Sequence, residues 1–472
     1  MNATEKKNLP TPQVPTDGKR LGTIFNNDIN NILCLLDAGK PAGEIAGDYR
    51  VLLRNLLAGK PHVLAQDVGQ PDPVIYRSSV ATTFDKNLVD VSMENWRDVW
   101  AKDGVAEESM RESNRRQADA MRRLMELSTD PLAITIEECR KKGVLVVAAY
   151  RMNSEDWYMH TYELSDFGRA HPDYRIPKTE LEKRIDREDG NCGADLDFTG
   201  ALDPAVPEVY EHRMTIFREV AQAYDIDGIE FNFRRHSHMV SNPLENHPVL
   251  TRMVRDTRAM LDEVAKKKGR SRLLLGVWVG PMLDGEFRPE DFPGATSYPD
   301  SWWAKTPREL REKEFPDAIG PYPDKSCRDL GLDVRTWIAE GLVDYVCPTL
   351  FWPRWPGLPR IGEFAALAKG TKVGIYPTLF ALPPWLEKEW GTVKGLISPD
   401  DLPRLRRYKE EFCRLARRIY DEGGDGISTF NWFFHHHPYG GNAIAAQMLS
   451  VMHDGQALAD YCRRPLEKGG QT

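Results

Sequence analysis

The stretch 224–235, Y-D-I-D-G-I-E-F-N-F-R-R, constrains this chain more than any other. Ile229, Phe231 and Phe233 alternate with Glu230, Asn232 and Arg234, and a two-residue period sends the two sets to opposite faces of a strand. Helical spacing precedes it, with Ile216, Phe217, Val220 and Tyr224 on one side, and returns over 249–268. Helix–strand–helix order implies a parallel sheet covered on both faces. There a row of Glu, Asn and Arg is costly unless it lines a cavity. The expectation is a barrel strand whose polar end opens into an active site.

Seven further stretches read as strands: 21–28, 74–80, 144–150, 273–280, 343–352, 372–380 and 424–434. Most are followed by a helical pattern and none is paired by a hairpin signal. Eight such units predict an α/β fold, a (β/α)8 TIM barrel, with an open doubly wound sheet as the lesser option. The segments 157–205 and 281–330 are too long for simple connections and read as insertions after strands 3 and 5. The barrel is expected to occupy 19–455, between a flexible Pro-rich tail (1–18) and a C-terminal tail (456–472).

A formal charge of −8 gives no basic footprint for nucleic acid, and no apolar run is long enough to span a membrane. The N-terminus lacks the apolar core of a secretory signal. The location expected of the chain as written is cytoplasmic, or periplasmic or secreted if a leader has been removed. Seven scattered cysteines with no C-x-x-C pair favour reduced thiols over a disulfide framework or zinc cluster.

The run L-D-P-A-V-P-E-V (202–209), the helix after it and the strand 224–235 resemble glycosyl-hydrolase-like family 10. That family carries an L-N-P-x-x-P-E-V run, a helix and a Y-x-V-D-G-I-x-x-D-Y strand. V-D-Y-V-C-P-T-L-F-W (343–352) and G-I-S-T-F-N-W (426–432) are similar to its later strands. The resemblance covers about 140–450 and implies a barrel hydrolase acting on glycosidic bonds of polysaccharide, bacterial cell-wall glycan among them. A weaker likeness runs to the D-G-x-D-x-D-x-E strand of family 18 chitinases. Asn232 stands where the first family has Asp, and Arg234 where the second ends in its acid.

Glycoside hydrolysis generally needs a carboxylic acid to protonate the leaving oxygen and a second carboxylate as nucleophile or base. Glu230 is the candidate acid, since burial beside aromatics would raise its pKa. Asp28 at the exit of strand 1 and Asp197 in the long loop are candidates for the second, with Asp195, Asp284 and Glu286 as alternatives. Asp227 faces the other way and should hold the strand–helix junction. Asn27, Arg151, Asn153, Asn232, Arg234 and Asn431 end strands and suit sugar hydroxyls. Trp278, Trp352 and Trp432 suit the apolar faces of sugar rings, and Tyr376 suits donation to a leaving oxygen. No cofactor is expected. The leading reading is thus a glycoside hydrolase with a carbohydrate substrate. A catalytically inactive carbohydrate-binding barrel is the alternative. The third reading is a metal-dependent hydrolase using His236, His238 and the run His435, His436, His437.

Overall fold

The computed structural model describes residues 12–28, 31–85, 107–152, 165–177, 201–233, 239–285, 326–350, 357–380, 402–432 and 443–465. Among them lie nine strands: β1 (Thr23–Asn27), β2 (Val63–Gly69), β3 (Leu145–Arg151), β4 (Gly228–Asn232), β5 (Leu274–Val279), β6 (Tyr345–Pro348), β7 (Gly374–Ile375), β8 (Thr378–Phe380) and β9 (Ile427–Phe430). They form one parallel sheet in the order β7-β6-β5-β4-β3-β2-β1-β9-β8. Runs such as L-V-V-A-A-Y-R and L-L-G-V-W-V are buried along their whole length, as strands covered on both faces must be.

The sheet is curled, consistent with an α/β barrel. Ile24, Val63, Val147, Trp278, Tyr345, Tyr376 and Phe430, from strands far apart in the order, meet in one inner cluster. Bonds cross the enclosed space, such as Trp278 Nε1 on β5 donating to Thr378 Oγ1 on β8 at 2.6 Å. The two edge strands, β7 and β8, are separated only by Tyr376 and Pro377. Tyr376 N donates to Val346 O on β6, and Ser428 N on β9 donates to Pro377 O. One stretch of chain therefore touches both ends of the sheet. It is split in two where Pro377 has no N–H to give the ladder.

The described α-helices are α1 (Ala42–Leu56), α2 (Glu107–Met125), α3 (Pro131–Lys142), α4 (Asp166–Ala170), α5 (Pro207–Ala223), α6 (Pro243–Lys267), α7 (Val334–Ala339), α8 (Ile361–Ala368), α9 (Leu402–Asp421), α10 (Ala443–Val451) and α11 (Gly455–Arg463). The stripe foreseen on α5 is the one it buries: Ile216, Phe217 and Val220 pack in the outer core with Ile229 and Phe231 of β4. Helix α3 follows its sequence signals. Asp130 caps its N-terminus by accepting from Ala133 N at 2.8 Å, Pro131 opens it, and Gly143 ends it at φ 67°.

An acid stands just ahead of three strands and repeats one geometry. Asp227 before β4 accepts from Val146 N of β3 (2.7 Å), Asp344 before β6 from Leu275 N of β5 (2.8 Å), and Asp425 before β9 from Ile375 N of β7 (2.9 Å). Each is paired with one or two cations. Arg140 and Arg270 pair with Asp227, Arg258 and Arg272 with Asp344, and Lys19 with Asp425. Asp227 thus holds a strand junction, as its parity implies.

Three expectations need correction. The second strand is Val63–Gly69, not 74–80, where only isolated bridges at Val74 occur. Buried Gln66 and Asp67 hide β2 in the sequence, because they interrupt its apolar alternation for reasons set by the site. The cysteines are not all thiols: Cys413 and Cys462, 49 residues apart, form a disulfide between α9 and α11. Sequence spacing carries no sign of a pair made by helix packing. Nor are the flanks simple tails. Segment 456–472 contains most of α11, and at the other end Val14 is buried in the inner cluster.

Candidate active site

Glu230 lies on the inner face at the middle of β4, only 1% exposed. Asn26 Nδ2 on β1 donates to its Oε1 at 2.8 Å, and Tyr345 OH on β6 donates to its Oε2 at 2.9 Å. Burial pushes the carboxyl up to about 7, against the opposing pull of these two donors. In register, Glu230 is flanked by Ala149 on β3 and Gly276 on β5, both too small to cover it. Gly276 in turn neighbours Tyr345. A Cβ at Gly276 would sit 2.0–2.3 Å from atoms of the Tyr345 ring, so the missing side chain is what lets the tyrosine cross β5. A glycine inside a fully buried strand is the sequence sign of such a close approach.

One step nearer the C-terminal ends of the strands, Arg151, Asn232 and Trp278 occupy adjoining positions on β3, β4 and β5. Arg151 Nε donates to Asp67 Oδ2 at 2.8 Å, and its Nη2 pairs with Asp28. One guanidinium thus bridges the exits of β1 and β2. Asn431 follows β9 with φ 49°, a left-handed conformation that Asn adopts more readily than most residues. Its Oδ1 accepts from Asp28 N (3.0 Å) and Asn31 Nδ2 (2.7 Å). The carboxyl of Asp28 is therefore fixed by Arg151 and its backbone by Asn431.

The structure brings together Glu230, Asp28, Arg151, Asn232, Trp278 and Asn431 at or just below the C-terminal ends of the strands. Asn27 is beside them, but its amide is engaged on both sides, donating to Gln66 Oε1 (2.8 Å) and accepting from Asn31 Nδ2 (2.9 Å). Two aromatic expectations are corrected. Tyr376 sits at the opposite end of the sheet, where its OH donates to Gly18 O (2.7 Å) and accepts from Leu21 N (2.8 Å). Trp432 belongs to the outer core, donating to Ala445 O (2.9 Å) and packed on Phe412, because the chain turns after Phe430. Asp195, Asp197, Asn153, Arg234, Glu286, Trp352 and the five loop histidines lie outside the described residues. Asp284 pairs with Arg335 and lines a separate cleft of about 460 Å³ with Leu244, Leu283 and Arg328.

Sequence reading missed Asp67, Tyr345 and Gly276, and gave Asn26 no role. Gly276 was the legible one.

No family model matches the chain. Glycosyl hydrolase DigH of Escherichia coli O6:H1 is 21% identical over 154 residues, which are 32% of this chain and 32% of that protein. The chain thus matches about a third of that relative's length. Among solved structures, the PgaB (BpsB) glycoside hydrolase domain from Bordetella bronchiseptica is 10% identical with a TM-score of 0.42, covering 92% of this chain and 99% of that one. A family 18 chitinase from Cycas revoluta is 10% identical with a TM-score of 0.38, over 91% and 98%. Alpha-L-fucosidase isoenzyme 2 from Paenibacillus thiaminolyticus is 12% identical with a TM-score of 0.42, over 93% and 49%. Similarities this distant say nothing of which groups react.

Proposed function

We propose that this chain is a glycoside hydrolase acting on a poly- or oligosaccharide, with Glu230 as the proton donor to the leaving oxygen. The observation that carries the reading is the Glu230 carboxyl itself: buried on the inner face, hydrogen-bonded at both oxygens, and raised to about 7. An acid titrating near neutrality is protonated often enough to give up a proton and basic enough afterwards to take one back. Asp67 and Asp28 are the second-carboxylate candidates within the described site. Asp67 and Glu230 flank the same residue, Ala149, in the ladder. Two inter-strand steps place their Cα atoms about 10 Å apart, within reach of one substrate held between the two side chains. The reading includes closure of the sheet into a (β/α)8 barrel, with β7 and β8 as one interrupted strand. Closure is supported by the bonds of 376–377 to both β6 and β9.

The test is Glu230→Gln, which keeps the shape and one accepting oxygen, turns the other accepting position into a donating NH2 and removes the titratable proton. Hydrolysis of a panel of oligosaccharides should fall at least ~100-fold while glycan binding stays within about threefold by calorimetry. Undiminished hydrolysis overturns the assignment. A second reading, a carbohydrate-binding barrel without catalysis, is supported by Arg151 engaging both Asp28 and Asp67. Saturable glycan binding by the wild type with no hydrolysis would establish it instead.

A further inference from the structure

We infer that Tyr345 is a positioning residue for Glu230, admitted to its place by Gly276, and that it lowers the pH at which the Glu230 proton is released. The inference rests on the hydrolase reading and adds the control of its acid.

The geometry is specific. Tyr345 starts on β6 and reaches β4 by passing over the bare backbone of Gly276 on β5. Its hydroxyl is the donor to Oε2, while Asn26 reaches Oε1 from β1, so the carboxyl is clamped from opposite sides of the enclosed space. Tyr345 is itself backed edge-on by Tyr376, at 6.2 Å and 85°, and Tyr376 is fixed by Gly18 and Leu21. A buried carboxyl with one donor per oxygen has little rotational freedom, and each donor favours the charged form.

The charged neighbours of Glu230 in the site are Asp67 on β2 and Arg151 on β3, which are paired with each other. Asn26 on β1 does not titrate, and Ala149 and Gly276 offer no polar side chain. On β6, Tyr345 and the buried thiol of Cys347 are both held protonated, by burial first and by the nearby Glu230 second. Tyr345 is therefore the neighbour whose removal should change the proton affinity of Glu230 most cleanly.

The experiment is a carbon-13 titration of glutamate carboxyl groups in the full chain, with the Glu230 signal identified by its loss in Glu230→Gln. In Tyr345→Phe the midpoint should rise by about one pH unit, the effect of removing one hydrogen bond to a charged group. The high-pH limb of the activity profile should move up with it, and kcat should fall about tenfold with KM within threefold. Gly276→Ala should move the midpoint the same way by displacing the ring. An unmoved midpoint in Tyr345→Phe overturns the inference, whatever Gly276→Ala does to folding. A shifted midpoint in a protein that hydrolyses no glycoside leaves the clamp standing and removes the hydrolase reading instead.

Discussion

The raised carboxyl of Glu230 ties stability to pH as well as to chemistry. Its unfolded value is near 4.5 and its folded value about 7, so between these the folded state holds the proton more tightly. Stability contributed by the protonated form is present in full below pH 4.5 and is lost as pH rises to about 7. Over that window the loss amounts to about 3 kcal/mol, at 1.36 kcal/mol per unit. Glu230→Gln should not suffer it. Denaturant unfolding at pH 5 and pH 8 should therefore show the variant gaining about 3 kcal/mol on the wild type at the higher pH. A constant difference would mean that Glu230 titrates at an ordinary value. Residues of this kind were legible when their neighbours alternated with them. Glu230 and Asn232 stand out between Ile229, Phe231 and Phe233, and Arg151 stands out as the exit of an apolar run. Asp67 was not legible, because it sits inside a strand that its own polarity disguises. Its reason for being there, Arg151, lies 84 residues away.

Among the elements, strand-to-helix alternation could be read from apolar period and helix stops, and most of the observed sheet follows it. What failed was register and continuity. The split at Pro377 and the true position of β2 depend on which partners the ladder offers, and no local pattern carries that. The acids ahead of β4, β6 and β9 were half legible. The D-G-I of 227–229 and 425–427 is visible, but its pairing with the preceding strand is not. These acids are stability devices with a definite size. Asp344 is 5% exposed, binds two arginines and accepts a strand amide, so Asp344→Ala leaves buried Arg258 with only the exposed Asp262 as an acidic partner and frees the Leu275 amide. A loss of about 3–5 kcal/mol is expected by chemical denaturation. The exposed pair Arg255–Glu340, removed in a control variant, should cost under about 1 kcal/mol. Equal effects would refute the distinction between them.

For the whole molecule, the disulfide between Cys413 and Cys462 ties α11 to α9 across 49 residues of chain. Closing a loop of this length contributes about 4 kcal/mol in the chain-entropy model. Treating protein from an oxidising compartment with reductant should expose two additional thiols under denaturing conditions and lower the thermal midpoint. No increase in thiol count would show that the bond does not form. Further contacts fasten α11 and its surroundings in place, including Lys409 to Arg464 O at 2.6 Å and Tyr420 to Met452 O at 2.6 Å. The repeated acids also reveal a modular symmetry in the architecture. They clasp β3 to β4, β5 to β6, and β7 to β9, holding most strands of the sheet in pairs. The remaining pair, β1 and β2, has His62 ahead of its second strand instead of an acid. The fold therefore has natural seams between these pairs, and a rearranged chain opened at one of them would keep each of these three clasps whole.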